Sequence, residues 1–291
     1  MTSADLLLRA RPDSQALADR VVAEVWEAGA LGVEERSGDE GIELIIYLSR
    51  PTEPDIRSVL EGLLTSERIG EASEPLGEMD WSEAWKDGLE AIVISPRLVV
   101  RPSFVAYPLE DGQQEVIVDP GQAFGTGGHE STRLALEWVD ALSTRGERAV
   151  RVLDVGTGSG VLGLAAVKLG AGWALGFDLD RGAVTEAQRV AKGNGLGAAL
   201  ALFAGPIEAL GEGGFDLVLV NLLRSEMLPI AEEIATKLSP EGNLVLSGLL
   251  VSDRSKVLAT FGAFGLEERG ERTVQDASGA VWSAPLLGFA R

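Results

Sequence analysis

The stretch DPGQAFGTGGHEST, Asp119 to Thr132, gathers residues whose types suit ligand chemistry. It holds the chain's one histidine, His129, and three glycines within four residues, Gly125, Gly127 and Gly128. A second glycine-rich run, VLDVGTGSGVLG, occupies 152–163. Glycines at 156, 158 and 160 let the backbone approach a bound molecule closely. Two such runs with a short helical pattern between them suggest a ligand gripped from both sides.

The second run follows a buried strand, RVLDVG, at the position where open α/β sheets bind nucleotide-type ligands. The next strand ends in Asp178, where a carboxylate can accept hydrogen bonds from ribose hydroxyls. A pyrophosphate-binding fingerprint requires G-x-G-x-x-G, and here Val161 holds the third-glycine position. The spacing therefore favours an adenosine ligand without a pyrophosphate, such as S-adenosylmethionine. A tight strand-to-helix turn with no ligand is the bland alternative. Asn221, in VLVNLLRSE, ends the fourth strand of the same series. The carboxyl ends of strands one, two and four open on one edge, so Asp154, Asp178 and Asn221 are expected around one ligand. Taken alone, Asn221 reads equally as a capping or turn residue. Leu222, Leu223 and Arg224 follow it in place of the prolines and aromatic that hold a flipped base, which argues against a nucleobase substrate.

These residues need elements to place them. Residues 1–74 read as β-α-β-β-α-β, a ferredoxin-like α+β order, with Thr52 as N-cap of the second helix. Residues 75–92 read as a linker with a short helix, on which Trp81 and Trp85 share a face. Residues 93–291 form the second domain, beginning with short strands at 92–119. From 150 onward strands alternate with helices expected at 159–170, 181–194, 225–238 and 252–264. This is an α/β, Rossmann-like pattern with a mostly parallel sheet. The final stretch has no helix between two strand-like runs and is expected to form a terminal antiparallel hairpin.

Composition bounds the chemistry. The 291 residues contain no cysteine, which removes disulfides and thiolate chemistry, and one histidine disfavours a histidine metal site. The amino terminus lacks a signal-peptide pattern, and no apolar run is long enough to span a bilayer, so a cytoplasmic protein without membrane attachment is expected. Net charge is −20. Residues 1–80 hold 18 acidic residues against 7 arginines, a net −11, and residues 81–291 a net −9. Such a surface disfavours direct nucleic-acid contact and favours a basic partner, although solubility alone also accounts for it.

Taken in order, DPGQAFGTGGHEST, VLDVGTGSGVLGLAAVKLGA, GFDLD and VNLL closely resemble the methyltransferases of ribosomal protein L-eleven, the PrmA family. DWSEAWK at 80–86 is similar to that family's linker. The resemblance is clearest over 80–250, and the first 75 residues match in pattern and length. It implies an S-adenosylmethionine-dependent N-methyltransferase acting on lysine or N-terminal amino groups of a basic ribosomal protein. It further implies cofactor contacts at Thr132, Gly156, Gly158, Asp178 and Asn221, and a lid over the cofactor at residues 121–129 carrying Phe124, Gly125 and Thr126. The first domain would recognise substrate, and a monomer is expected.

Asn221, Phe124 and His129 are candidates for positioning rather than acid–base work. His129 reads either as a general base or as a residue that orients the loop and Thr132. Methyl transfer needs a neutral amine and little further proton chemistry, so neither a dedicated base nor a metal is expected. Three alternatives stay open. They are the same chemistry on another protein's lysines or a small amine, a non-catalytic cofactor-binding module, and a nicotinamide-dependent oxidoreductase, which Val161 and the terminal hairpin disfavour.

Overall fold

Alternation of apolar residues along the strands decides which helices cover which face, and this places the site. The computed structural model describes residues 6–38, 41–70, 89–119, 128–144, 151–211 and 213–290. It divides into two compact units, Met1–Gly88 and Leu89–Arg291.

In the first unit β1 (Leu6–Ala10), α1 (Gln15–Glu27), β2 (Gly32–Gly38), β3 (Gly41–Leu48) and α2 (Glu53–Leu63) follow one another. The sheet order is β1-β3-β2, antiparallel throughout. Leu44, Ile46 and Leu48, two apart along the central strand, meet Ala18, Val21 and Val25 of α1 and Ile56 and Leu60 of α2 in one core. Ser14 caps α1 by accepting from Leu17 N at 3.4 Å.

Thr52 does not cap α2 as expected. A 3-10 turn over Arg50–Thr52 runs straight into the helix, and the Thr52 hydroxyl donates back to the Ser49 carbonyl at 2.9 Å. The strand expected near 68–73 is reduced, among the described residues, to one bridge between Ile69 and Ala10 at the free edge of β1. The expected linker helix with Trp81 and Trp85 lies outside the described residues.

The second unit opens with β4 (Ile92–Ser95), β5 (Leu98–Arg101) and β6 (Gln114–Ile117), a small sheet in which β4 and β5 are antiparallel and β5 and β6 parallel. β4 thus begins inside the segment assigned to the linker. Helix α3 (Glu130–Thr144) leads to the main sheet. Its parallel strands are β7 (Arg151–Val155), β8 (Trp173–Asp178), β9 (Leu200–Ala204), β10 (Phe215–Asn221) and β11 (Leu238–Ser247). The short β12 (Leu249–Leu250) follows, and β13 (Leu266–Gln275) and β14 (Val281–Phe289) form the expected antiparallel hairpin, β14 also pairing β11.

Across the sheet the order is β14-β11-β10-β7-β8-β9, with β12 and β13 both paired to β14. The chain moves outward from β7 through β8 to β9, then returns to β10 on β7's other side. Such a reversal opens a crevice at the strands' carboxyl ends.

Both faces are covered. Val152, Leu217, Leu219 and Val245 face a core with α3 and α4 (Val161–Lys168) and with Val190 and Ala191 of α5 (Arg181–Gly193). Their neighbours Leu153, Val218, Val220, Leu244 and Leu246 face α7 (Ala231–Lys237) and α8 (Arg254–Gly262). The single helix expected over 225–238 is broken into α6 (Arg224–Met227), a 3-10 turn at Leu228–Ile230 and α7. Pro229, with no N–H to give, stands in the break. Among the described residues no helix is long and apolar enough to cross a membrane.

Candidate active site

The crevice holds a cavity of about 480 Å³, lined from the ends of β7, β8, β10 and β11 and from the start of α3. That volume lies within the range of small-ligand pockets. Thr132, Gly156, Gly158, Asp178, Asn221 and His129, scattered over some ninety residues of sequence, all line it. Phe124, Gly125 and Thr126 lie outside the described residues.

The floor is the loop after β7. Gly156, Gly158 and Gly160 have φ of 65°, 53° and 81°, left-handed values that side chains disfavour. A Cβ on Gly156 would stand 2.5 Å from Leu222 Cδ2, so the absence of a side chain keeps this part of the cavity open. Asp178 Oδ2 accepts from Gly158 N at 3.1 Å, and its Oδ1 accepts from Asp180 N at 3.0 Å. The loop and the end of β8 are thereby held together.

Asp154 departs from expectation. It does not line the cavity but lies buried beneath the loop, where its Oδ2 accepts from Thr157 Oγ1 at 2.8 Å and from Gly163 N at 3.0 Å. The side chain is turned inward and serves the turn rather than a ligand. Burial pushes its carboxyl up to about 7, against the pull of those two hydrogen bonds, with Asp178 adding a smaller push.

The opposite wall joins α3 to β10. Asn221 Nδ2 donates to Thr132 Oγ1 at 3.1 Å, and Thr132 is fully buried. Ser247, at the end of β11, donates to the Ser131 carbonyl at 2.7 Å. His129 sits at the cap position of α3, where its Nδ1 accepts from Ser131 N at 3.2 Å and lies 2.8 Å from Ser131 Oγ. Accepting at Nδ1 puts the proton of the neutral ring on Nε2. The ring meets Trp282 edge to face at 4.6 Å.

Several lining residues carried no signal in the sequence. Trp282 arrives from the terminal hairpin, and Gly248 from the kink between β11 and β12. Glu226 stands in α6, and Thr157 and Asp180 flank residues that were singled out. Among the described residues no group of three or more His, Cys, Asp or Glu is arranged to hold a metal ion.

A family model described as Ribosomal protein L11 methyltransferase (PrmA) matches residues 12–273. A ribosomal protein L11 methyltransferase of Syntrophotalea carbinolica is 38% identical over 272 residues, which is 85% of this chain and 88% of that protein. One of Geobacter sulfurreducens is 42% identical over 187 residues, 64% of this chain and 60% of that protein. Among solved structures, the ribosomal protein L11 methylase of Lactobacillus delbrueckii subsp. bulgaricus matches with a TM-score of 0.61 at 27% identity, covering 69% of this chain and all of that one.

Proposed function

The chain belongs to the ribosomal protein L11 methyltransferase family, and from that premise we propose that it methylates amino groups of ribosomal protein L11, at lysine side chains or the N-terminus, with S-adenosylmethionine as methyl donor. The observation that carries this reading is the one cavity that gathers Thr132, Gly156, Gly158, Asp178 and Asn221.

These residues fit the donor. The cradle at Gly156 would be filled by a single added carbon, and the carboxylate of Asp178 suits vicinal hydroxyls. In this reading Gly156, Gly158 and Asp178 hold the nucleoside part, while Thr132 and Asn221 hold the end nearest α3. When bound, S-adenosylmethionine supplies a methyl group on a positively charged sulfur.

The chain's own residues then position the acceptor. With its N–H committed to Thr132, the Asn221 amide presents a carbonyl oxygen that can accept an N–H from an incoming amine. Orientation of this kind lowers the barrier without proton chemistry. Deprotonating an ordinary lysine at pH 7 costs about 4–5 kcal/mol. Leu222, half-buried beside Asn221 in the cavity wall, disfavours the amine's charged form there and reduces that cost. His129 is engaged with Ser131 in this site, so its role here is to fix the start of α3 and with it Thr132. A cytoplasmic monomer that makes no direct nucleic-acid contact belongs to the same proposal, supported by the family and by the charge of −20.

The test is mass spectrometry of purified ribosomal protein L11 after incubation with the enzyme and S-adenosylmethionine, beside Asp178→Ala. Stepwise gains of one methyl group, absent in the variant, are expected. No gain with the wild-type enzyme, with the donor still bound by calorimetry, would send the search to other amines.

A further inference from the structure

Three carboxylates line the cavity, those of Asp178, Asp180 and Glu226. The first two belong to the end of β8 and are engaged by backbone. Asp178 accepts from Gly158 N and Asp180 N, and Asp180 Oδ1 accepts from Gly182 N at 2.7 Å as the cap of α5. Glu226 stands beyond the end of β10, on the other side of the Gly156–Gly158 loop. Because β7 separates β8 from β10, the strand ends from which the two groups depart lie two strand spacings apart, about 10 Å. Glu226 is therefore on the Asn221 side, away from the proposed nucleoside end.

Its surroundings are those of an entrance. Glu226 is exposed, and its Oε2 accepts from Leu223 N at 3.2 Å, which holds the carboxylate against the lining segment Asn221–Leu223. Leu223 is 59% exposed and offers an apolar lip. The neighbouring cation Arg224 is drawn to Asp253 at 3.0 Å. A fixed negative charge beside an apolar lip matches a lysine, whose methylene stem lies on apolar surface while its ammonium seeks an acceptor.

We infer that Glu226 is a specificity-determining residue that captures the protonated amine of the acceptor at the cavity mouth, ahead of its alignment on Asn221. The inference rests on the amine-methylation reading above. A carboxylate favours the ammonium over the neutral amine, so its contribution belongs to capture and not to transfer. It should therefore appear in KM and leave kcat in place.

Glu226→Gln separates charge from structure, since the amide oxygen still accepts from Leu223 N. With ribosomal protein L11 as substrate, KM should rise about two- to fivefold, the size of an exposed charge pair, with kcat and the donor's Kd unchanged. The gap should close between about 50 and 500 mM salt as the charge is screened. A KM equal to wild type would overturn the inference and leave the proposed function standing. Equal weakening of the donor's Kd would also overturn it, by showing that Glu226 serves the cavity's structure. A wild-type enzyme that binds the donor yet leaves the substrate unmethylated would overturn the proposed substrate, and this inference with it.

Discussion

At Gly248 the backbone leaves no room for a β-carbon: φ is 81°, and an added Cβ would collide with the carbonyl of Leu222, a backbone atom unable to step aside. Gly156 is tight in a different way, since its obstacle is the movable tip of Leu222. Gly248→Ala should accordingly lose about 2–4 kcal/mol in urea unfolding. Gly156→Ala should lose about 1–2 kcal/mol but weaken donor binding at least tenfold by calorimetry, because its methyl group intrudes on the cavity. Asp154 supplies a pH signature. Its folded-state value of about 7 exceeds the ordinary 3.8, so across that window the native protein keeps a proton that the unfolded chain has released. Stability therefore falls as pH rises through the window, and the penalty is complete above it. Asp154→Asn keeps an acceptor oxygen and cannot ionise, so its urea midpoint should gain on the wild type between pH 5 and pH 8. The sequence made these positions unequally legible. Gly156, Asp178 and Asn221 stand at strand ends, where type and spacing are informative. Asp154 looked like a ligand group because spacing names the strand end but cannot tell which way a side chain turns. Gly248 had no motif around it.

The terminal hairpin shows how one element sets another. Asp276 accepts from Ser278 Oγ at 2.7 Å, from Ala280 N at 3.0 Å and from Trp282 Nε1 at 2.8 Å, closing the turn between β13 and β14. Trp282 in turn meets His129, and Trp138 of α3 donates to the Ala284 carbonyl at 2.8 Å. α3 is thus seated on β14 at two places, and Thr132 rides on α3. Asp276→Ala should loosen this seat and weaken donor affinity about two- to fivefold, the equivalent of one lost hydrogen bond, in calorimetric titration. An unchanged Kd would show that α3 needs no help from the turn. The hydrogen bonds from Ser278 and Trp282 hold the Asp276 carboxyl below its usual range, so the turn's support is present above that range and fades in acid. Apolar runs alternating with helical patterns made the doubly covered sheet readable, and the lack of a helix between the last two runs its closing hairpin. The broken helix at Pro229 and the missing cap at Thr52 were not, since local tertiary contacts chose between conformations of similar propensity. That Trp282 belongs to the site follows from strand order, which places β14 beside β11 and β12 and brings Trp282 to His129 from far along the chain.

For the whole chain, charge is placed where chemistry does not need it. Residues 1–80 carry −11 of the total −20, while the described residues that line the cavity run from His129 to Trp282. The first unit has its own apolar core, so its acidity is not a by-product of an incomplete fold. A field of this sign raises the local concentration of a basic protein and speeds encounter, and it does so over a Debye length that shrinks from about 10 Å at 0.1 M salt to 3 Å at 1 M. In the proposed function the donor lies in the cavity of the second unit, where salt screens contacts less than between surfaces. The two ligands should therefore respond differently. Between about 50 and 300 mM sodium chloride, KM for ribosomal protein L11 should rise severalfold while the Kd for S-adenosylmethionine stays within a factor of about two. Replacing four acidic residues of the first unit by their amides should flatten the KM response and leave the Kd untouched. If KM is indifferent to salt, the acidity serves solubility, and recognition of the substrate must come from shape and apolar contact instead.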